Sequence, residues 1–319
     1  MNNLQSFSGP GQSYRKGITL IELFQKFPDD ATAEQWLEYS RWGDDGAECP
    51  RCESLDRVKE TPTRKPAAYW CGKCRKHFNV RTDTVMADTK IPYQKWVIAM
   101  YLHASSLKGV SSMKLHRDLG ITQKSAWHLS HRVRESMMDM GVKFDGPVEV
   151  DESYFGGKEK NKHVHKKLNA GRGTVGKTPV VGIKDRETKQ VRAKVVPDTT
   201  AKTLQGFIKD HTEENVKVYT DESTSYNGLP NRESVNHSIS EWVRDQAHIN
   251  GMESFWAALK RGYHGVYHHM SSKHLHRYAN EFAGRHNFRR QDTIDQMCII
   301  ARQFAGKRLM YKDLVRDHG

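Results

Sequence analysis

Short apolar-rich runs at 148–154, 179–185, 190–197 and 216–220 read as strands, with Val148 and Val150 alternating with Glu149 and Asp151 in the first. The run at 200–211 has helical spacing instead. After 247 the helical period returns, interrupted by "GYHGVYHHMSSKH". The first half reads differently. Residues 17–42 carry helical signals, with Pro28-Asp29-Asp30 supplying a break and a cap. "IPYQKWVIAMYLHASS" predicts an apolar helix opening near Pro92. "GVSSMKLHRDLGITQKSAWHLSHRVRESM" predicts two helices separated at Leu119-Gly120-Ile121. The expected organisation is a helical segment at 1–47, a cysteine-bearing module at 48–81, a helical pair at 91–141, a strand-rich domain at 147–290 and a helical tail at 291–319.

Charge narrows the partner. The 319 residues carry a formal net charge of +13. A polyanion, most simply nucleic acid, is the expected partner. The balance is uneven: the segment from Glu22 to Glu48 is acidic, and that from Lys158 to Lys177 is a basic, glycine-containing loop. No run approaches the roughly 18 apolar residues of a membrane span, and "MNNLQSFSGPGQSYRKG" lacks the apolar middle of a secretory signal. A cytoplasmic location is expected.

Four of the five cysteines form two pairs, "CPRC" at 49–52 and "CGKC" at 71–74. Two such knuckles place four soft ligands at tetrahedral corners, so Cys49, Cys52, Cys71 and Cys74 are expected to hold one structural Zn²⁺. Redox dithiols are the alternative, without a βαβ context to support them. Arg51, Arg57, Lys59, Arg64, Lys65, Lys73, Arg75 and Lys76 surround the pairs, as suits a ribbon that touches phosphates.

In the helical pair, Leu115, Leu119, Ile121, Ala126, Leu129 and Val133 form the predicted seam, with Thr122 as N-cap of the second helix. Gln123, Lys124, Ser125 and His128 then stand where a recognition helix meets base edges, and Arg132 is a phosphate partner. An ordinary helical hairpin would show the same pattern.

Asp-Glu-Ser occurs twice, each time behind a strand: in "VEVDESYFGGK" and in "VYTDESTSYNGL". Acids at strand ends repel each other unless cations neutralise them. Two divalent ions are the usual solution in phosphodiester chemistry. If the two strands are neighbours, Asp151 and Asp221 converge, and a third ligand is expected from "HINGMESFWAALKRG". On a helix from 250 to 263, Met252, Phe255, Trp256, Leu259 and Tyr263 cluster within about 100° of arc. Asn250, Glu253, Ala257 and Lys260 fall on another side. Glu253 brings the charge a metal pair needs and Asn250 only a neutral oxygen, so Glu253 is the favoured ligand with Asn250 assisting. Lys260 can meet a DNA phosphate.

In order along the chain, "CPRC…CGKC", "VEVDESYFGGK", "VYTDESTSYNGL", "HINGMESFWAALKRG" and "YHHMSSKHLHRYANEFAGRHN" resemble the DDE transposases of bacterial insertion sequences. The nearest group is the zinc-ribbon, ISXO-like class, related to Merlin-type elements. The resemblance implies a multidomain α+β protein: a zinc ribbon and helix-turn-helix followed by an RNase H-like α/β domain with a mixed five-stranded sheet. It implies metal-dependent cleavage at terminal inverted repeats and transfer of 3′-OH ends to target DNA. The expected cofactors are two Mg²⁺ (or Mn²⁺) ions held by Asp151, Asp221 and the third ligand. The expected partners are DNA and, at paired DNA ends, further copies of the chain. Members of the class carry Glu, Asn or His at the third position. Glu152 and Glu222 would point away from the metals. The rival readings are an RNase H-like nuclease that cuts without joining and a DNA-binding regulator without activity.

Overall fold

The computed structural model describes residues 15–137, 141–157, 159–161, 163–168, 173–234 and 249–316. The chain divides into two units, Met1–Met137 with Phe288–Gly319, and Met138–Asn287. The C-terminal helices thus belong to the first unit, where the periodicity alone suggested only a separate tail.

In the first unit, α1 (Leu20–Lys26) starts at a capping box between Thr19 and Glu22, and α2 (Asp30–Trp42) starts at Asp29, whose side chain accepts the Thr32 N–H. Helices α3 (Tyr93–Ser105), α4 (Ser112–Leu119) and α5 (Gln123–Glu135) follow the ribbon strands. Trp96, Val97 and Met100 of α3 are fully buried at the centre of this core. From the far end of the chain, α9 (Thr293–Arg302) packs on α2 and α3, and the Val85 N–H bonds to the Phe304 carbonyl. Met297, Ile300 and Phe304 join the same core.

Strands β1 (Val58–Glu60), β2 (Tyr69–Cys71) and β3 (Lys76–Phe78) form a small antiparallel sheet. Trp42, at the end of α2, packs edge-on against Tyr69 and Phe78. With only three residues per strand, this sheet has little core of its own, so it leans on these aromatics and on the cysteine cluster.

The second unit is built on a mixed five-stranded sheet in the order β6-β5-β4-β7-β8. Its strands are β4 (Val148–Phe155), β5 (Thr178–Asp185), β6 (Val191–Val195), β7 (Val218–Thr220) and β8 (Arg232–Ser234). Strand β5 runs antiparallel to β4 and β6, whereas β4, β7 and β8 are parallel. Val148 and Val150 point to one face and join Leu204, Phe207 and Ile208 of α6 (Ala201–His211). Phe155, on the opposite face, joins α7 (Asn250–Gly262) and α8 (Ser272–Asn287). The period of two therefore places Glu149, Asp151, Ser153 and Phe155 on the α7 side of β4. No helix among the described residues is long and apolar enough to cross a membrane.

Candidate active site and cysteine centre

Asp151 sits mid-strand in β4, where its carboxylate accepts the Glu152 N–H at 2.8 Å. Asp221 immediately follows the parallel neighbour β7, and its Oδ1 accepts the Ser223 N–H at 3.0 Å. Glu253 lies in the first turn of α7. Burial pushes the Asp151 carboxyl up to about 7, and the nearby charges of Glu152, Asp221 and Glu253 push it the same way. Asp221 and Glu253 thus lie within electrostatic range of the Asp151 carboxyl on β4, from the end of β7 and the first turn of α7. Hard carboxylate oxygens gathered in this way fit Mg²⁺ or Mn²⁺.

Helix α7 is amphipathic in the way its sequence predicts. Met252, Phe255, Trp256, Leu259 and Tyr263 are buried, and Asn250, Glu253, Ala257 and Lys260 are exposed. The buried stripe lies on β4 and β5. At the contact stands Gly182, where a Cβ would lie 2.3 Å from the Met252 methyl and 2.8 Å from Trp256 Cζ2.

Sequence reasoning did not identify several residues that hold this arrangement. Glu149, buried on β4, reaches the start of α7 and accepts the Met252 N–H at 3.0 Å. A buried acid in an alternating strand looks the same in sequence as an exposed one. Arg232 on β8 clamps the loop after β7, donating to Thr220 Oγ1 at 2.9 Å, to the Asp221 carbonyl at 2.8 Å and to Asn227 Oδ1 at 2.6 Å. Tyr226 is buried and donates its hydroxyl to Glu152, which lies on the α6 side of the strand. Glu222 is exposed.

In the first unit, the ligand atoms of Cys49, Cys52, Cys71 and Cys74 all lie within 4.8 Å of one another. Cys49 and Cys74 are 3.6 Å apart at sulfur, as are Cys52 and Cys71. That matches the edge of a tetrahedron with Zn–S bonds of about 2.3 Å, roughly 3.8 Å. The Cys71 thiol is lowered to about 7, chiefly by the Cys74 amide and also by that of Lys73, which favours the ligating thiolate. This cluster is compatible with a zinc ribbon. It is also the only group of metal-ligating side chains this compact among the described residues, so the histidines after α7 form no second such site. Seven of the eight surrounding basic residues are exposed. Arg64 is instead taken up by Glu34, Glu38 and Glu60.

The predicted helical pair is present, with Gly120 in the left-handed conformation between α4 and α5 and the Thr122 side chain capping α5. Leu115, Leu119, Ala126, Leu129 and Val133 are buried as the seam requires. Gln123 and Lys124 are exposed and Ser125 is half-buried. The expectations for His128 and Arg132 are corrected. His128 Nε2 lies 3.0 Å from the Leu309 carbonyl, and Arg132, 7% exposed, donates to the same oxygen at 3.0 Å. His128 is half-buried, and the Leu309 carbonyl of the C-terminal segment engages the polar ends of both side chains. Lys124 Nζ lies over the Tyr311 ring, 4.2 Å from its centroid.

The mixed five-stranded sheet with helices on it is consistent with a transposase domain. Residues 143–287, a little under half of the chain, match the family model of the ISXO2-like transposase domain. That segment contains Asp151, Asp221 and Glu253. No curated protein matches the chain.

Proposed function

We propose that the protein is a DDE-type transposase of an insertion sequence. In this reading it cleaves DNA at terminal inverted repeats and transfers the 3′-OH ends into target DNA. One observation supports the reading: the parallel β4–β7 pair carries Asp151 and leads into Asp221, and Glu253 lies in the first turn of α7, which packs on β4, all inside the segment that matches a transposase family model. The strand order and directions support an RNase H-like fold.

Asp151, Asp221 and Glu253 would hold two Mg²⁺ or Mn²⁺ ions, whose charge would activate the attacking oxygen and stabilise the leaving one. The protein residues fix the geometry. Strand β4 holds Asp151, the Arg232 clamp holds the loop of Asp221, and the apolar stripe of α7 aims Glu253 at both. Lys260, exposed on the same side of α7, meets a phosphate of the bound strand. The ribbon, with one Zn²⁺ in its four thiolates, and the exposed start of α5 around Gln123, Lys124 and Ser125 contact DNA outside the reacting bond. Joining two ends to one target calls for at least two copies of the chain.

The test uses a labelled terminal-repeat duplex in Mg²⁺. Asp151→Asn and Asp221→Asn each remove a ligand at constant size. Both are expected to abolish cleavage while leaving duplex binding within about twofold. Near wild-type cleavage by either variant would overturn the site. Offering the protein a precut end then separates transposase from simple nuclease, since only the former joins it to a second duplex.

A further inference from the structure

Ile249 stands at the N-cap of α7, and its side chain supplies no capping hydrogen bond. The first turn of a helix leaves backbone N–H groups without intrahelical partners, and a carboxylate is their strongest acceptor. Here that carboxylate comes from a strand more than a hundred residues away. Glu149 is 2% exposed, and its Oε2 accepts the Met252 N–H at 3.0 Å, a donor it shares with the Ile249 carbonyl at 2.9 Å. Its Oε1 accepts from Arg186 Nε at 3.1 Å, and the Arg186 guanidinium lies 3.6 Å from the centre of the Tyr219 ring. The carboxylate is therefore fixed from two sides.

Gly251 completes the fit. A Cβ there would lie 2.5 Å from Glu149 Oε2 and 2.7 Å from Lys184 Nζ. Any side chain at 251 would push the carboxylate off the helix end. Glu149 is two residues before Asp151 on the same face of β4, and Met252 directly precedes Glu253. One side chain thus links the strand of the first acid to the helix turn of the third.

We infer that Glu149 is a positioning residue. By capping α7 it sets the place of Glu253 relative to Asp151, and Gly251 is the residue that admits it. The inference rests on the reading that Asp151 and Glu253 hold the divalent ions. It makes no use of Glu149 as a ligand.

The test uses the full-length, zinc-loaded protein and Mn²⁺ alone as probe. Three quantities are measured for Glu149→Ala and Gly251→Ala: Mn²⁺ affinity by calorimetry, amide exchange along α7, and kcat and KM for cleavage. Both variants are expected to bind Mn²⁺ about 10-fold or more weakly, the usual effect of losing a residue that orients a ligand. Exchange at Met252 should quicken by about fivefold or more, as for a lost cap, with the rest of the sheet still protected. The kcat should fall while KM for DNA stays unchanged. Wild-type Mn²⁺ affinity and kcat in both variants would overturn the inference. So would a loss of protection throughout the sheet in both, which would make Glu149 a general structural residue. Asp151→Asn in the same series keeps the two readings apart. If it loses Mn²⁺ binding and the Glu149 and Gly251 variants do not, only the positioning role fails. If Asp151→Asn binds Mn²⁺ like wild type, the site itself is wrong.

Discussion

Asp151 and Gly182 face each other across the β4–β5 pair. The glycine leaves room beside the acid for Met252 and Trp256, so α7 presses onto the sheet at the level of Asp151. A close approach of helix to strand at that point is what brings Glu253 within electrostatic reach.

Gly182→Ala should therefore act at a distance. The added methyl overpacks the contact, at a cost of about 1–3 kcal/mol. Urea unfolding should show that loss, and cleavage should fall further than stability alone explains, because α7 is lifted from Asp151. Unchanged unfolding and unchanged cleavage together would mean that Met252 and Trp256 simply move aside.

Much of this was legible in the sequence. The four predicted strands were legible as short apolar-rich runs, as suits a sheet with helices packed on both faces. The orientation of α7 followed from its apolar stripe. Strand β8 was not legible: Arg-Glu-Ser at the sheet edge has no apolar residue to alternate. Periodicity also says which face of a helix is buried but not against what. That is why α9 and the segment around Leu309 looked like a tail, and why His128 and Arg132 looked available for DNA. Glu149 was hidden for a related reason, since the partner of a buried acid lies far away in sequence.

The cysteine centre gives a test independent of catalysis. Cys71→Ser replaces one of the four thiols of the cluster, and the purified protein should lose its single zinc. Elemental analysis checks this. Thermal unfolding should show the first unit destabilised, with the sheet of the second unit retained. Full zinc content in the variant would remove Cys71 from the ligand set.

Contacts around α5 separate two kinds of basic residue. Lys124 is exposed, so Lys124→Ala should weaken binding to every duplex and reduce the salt slope by about one. Arg132 is buried on the Leu309 carbonyl, so Arg132→Ala should instead cost about 1–3 kcal/mol of stability. Salt-titrated binding and urea unfolding of the two variants check the contrast. If Arg132→Ala lowers the salt slope without a stability loss, its guanidinium reaches phosphate after all.

The third acid is the sharpest case, because two residues on one face of α7 compete for it. Asn250 begins the helix and Glu253 follows three residues later, both exposed. The charge of Glu253 also pushes the Asp151 carboxyl up, after burial and the charges of Glu152 and Asp221. A neutral amide oxygen cannot offset a divalent ion in this way. Glu253→Gln keeps the size of the side chain and removes that charge. Cleavage in Mg²⁺ should fall on the order of 10²-fold or more, since several kcal/mol of transition-state stabilisation depend on the ions it holds. Asn250→Ala should stay within about twofold, as an exposed substitution of roughly 0.5 kcal/mol does. The two variants are compared on the same labelled duplex, with Mg²⁺ titrated so that a weakened ion site shows as a higher requirement. If Asn250→Ala loses cleavage and Glu253→Gln keeps it, the ligand is Asn250, and Glu253 acts only through its field on Asp151.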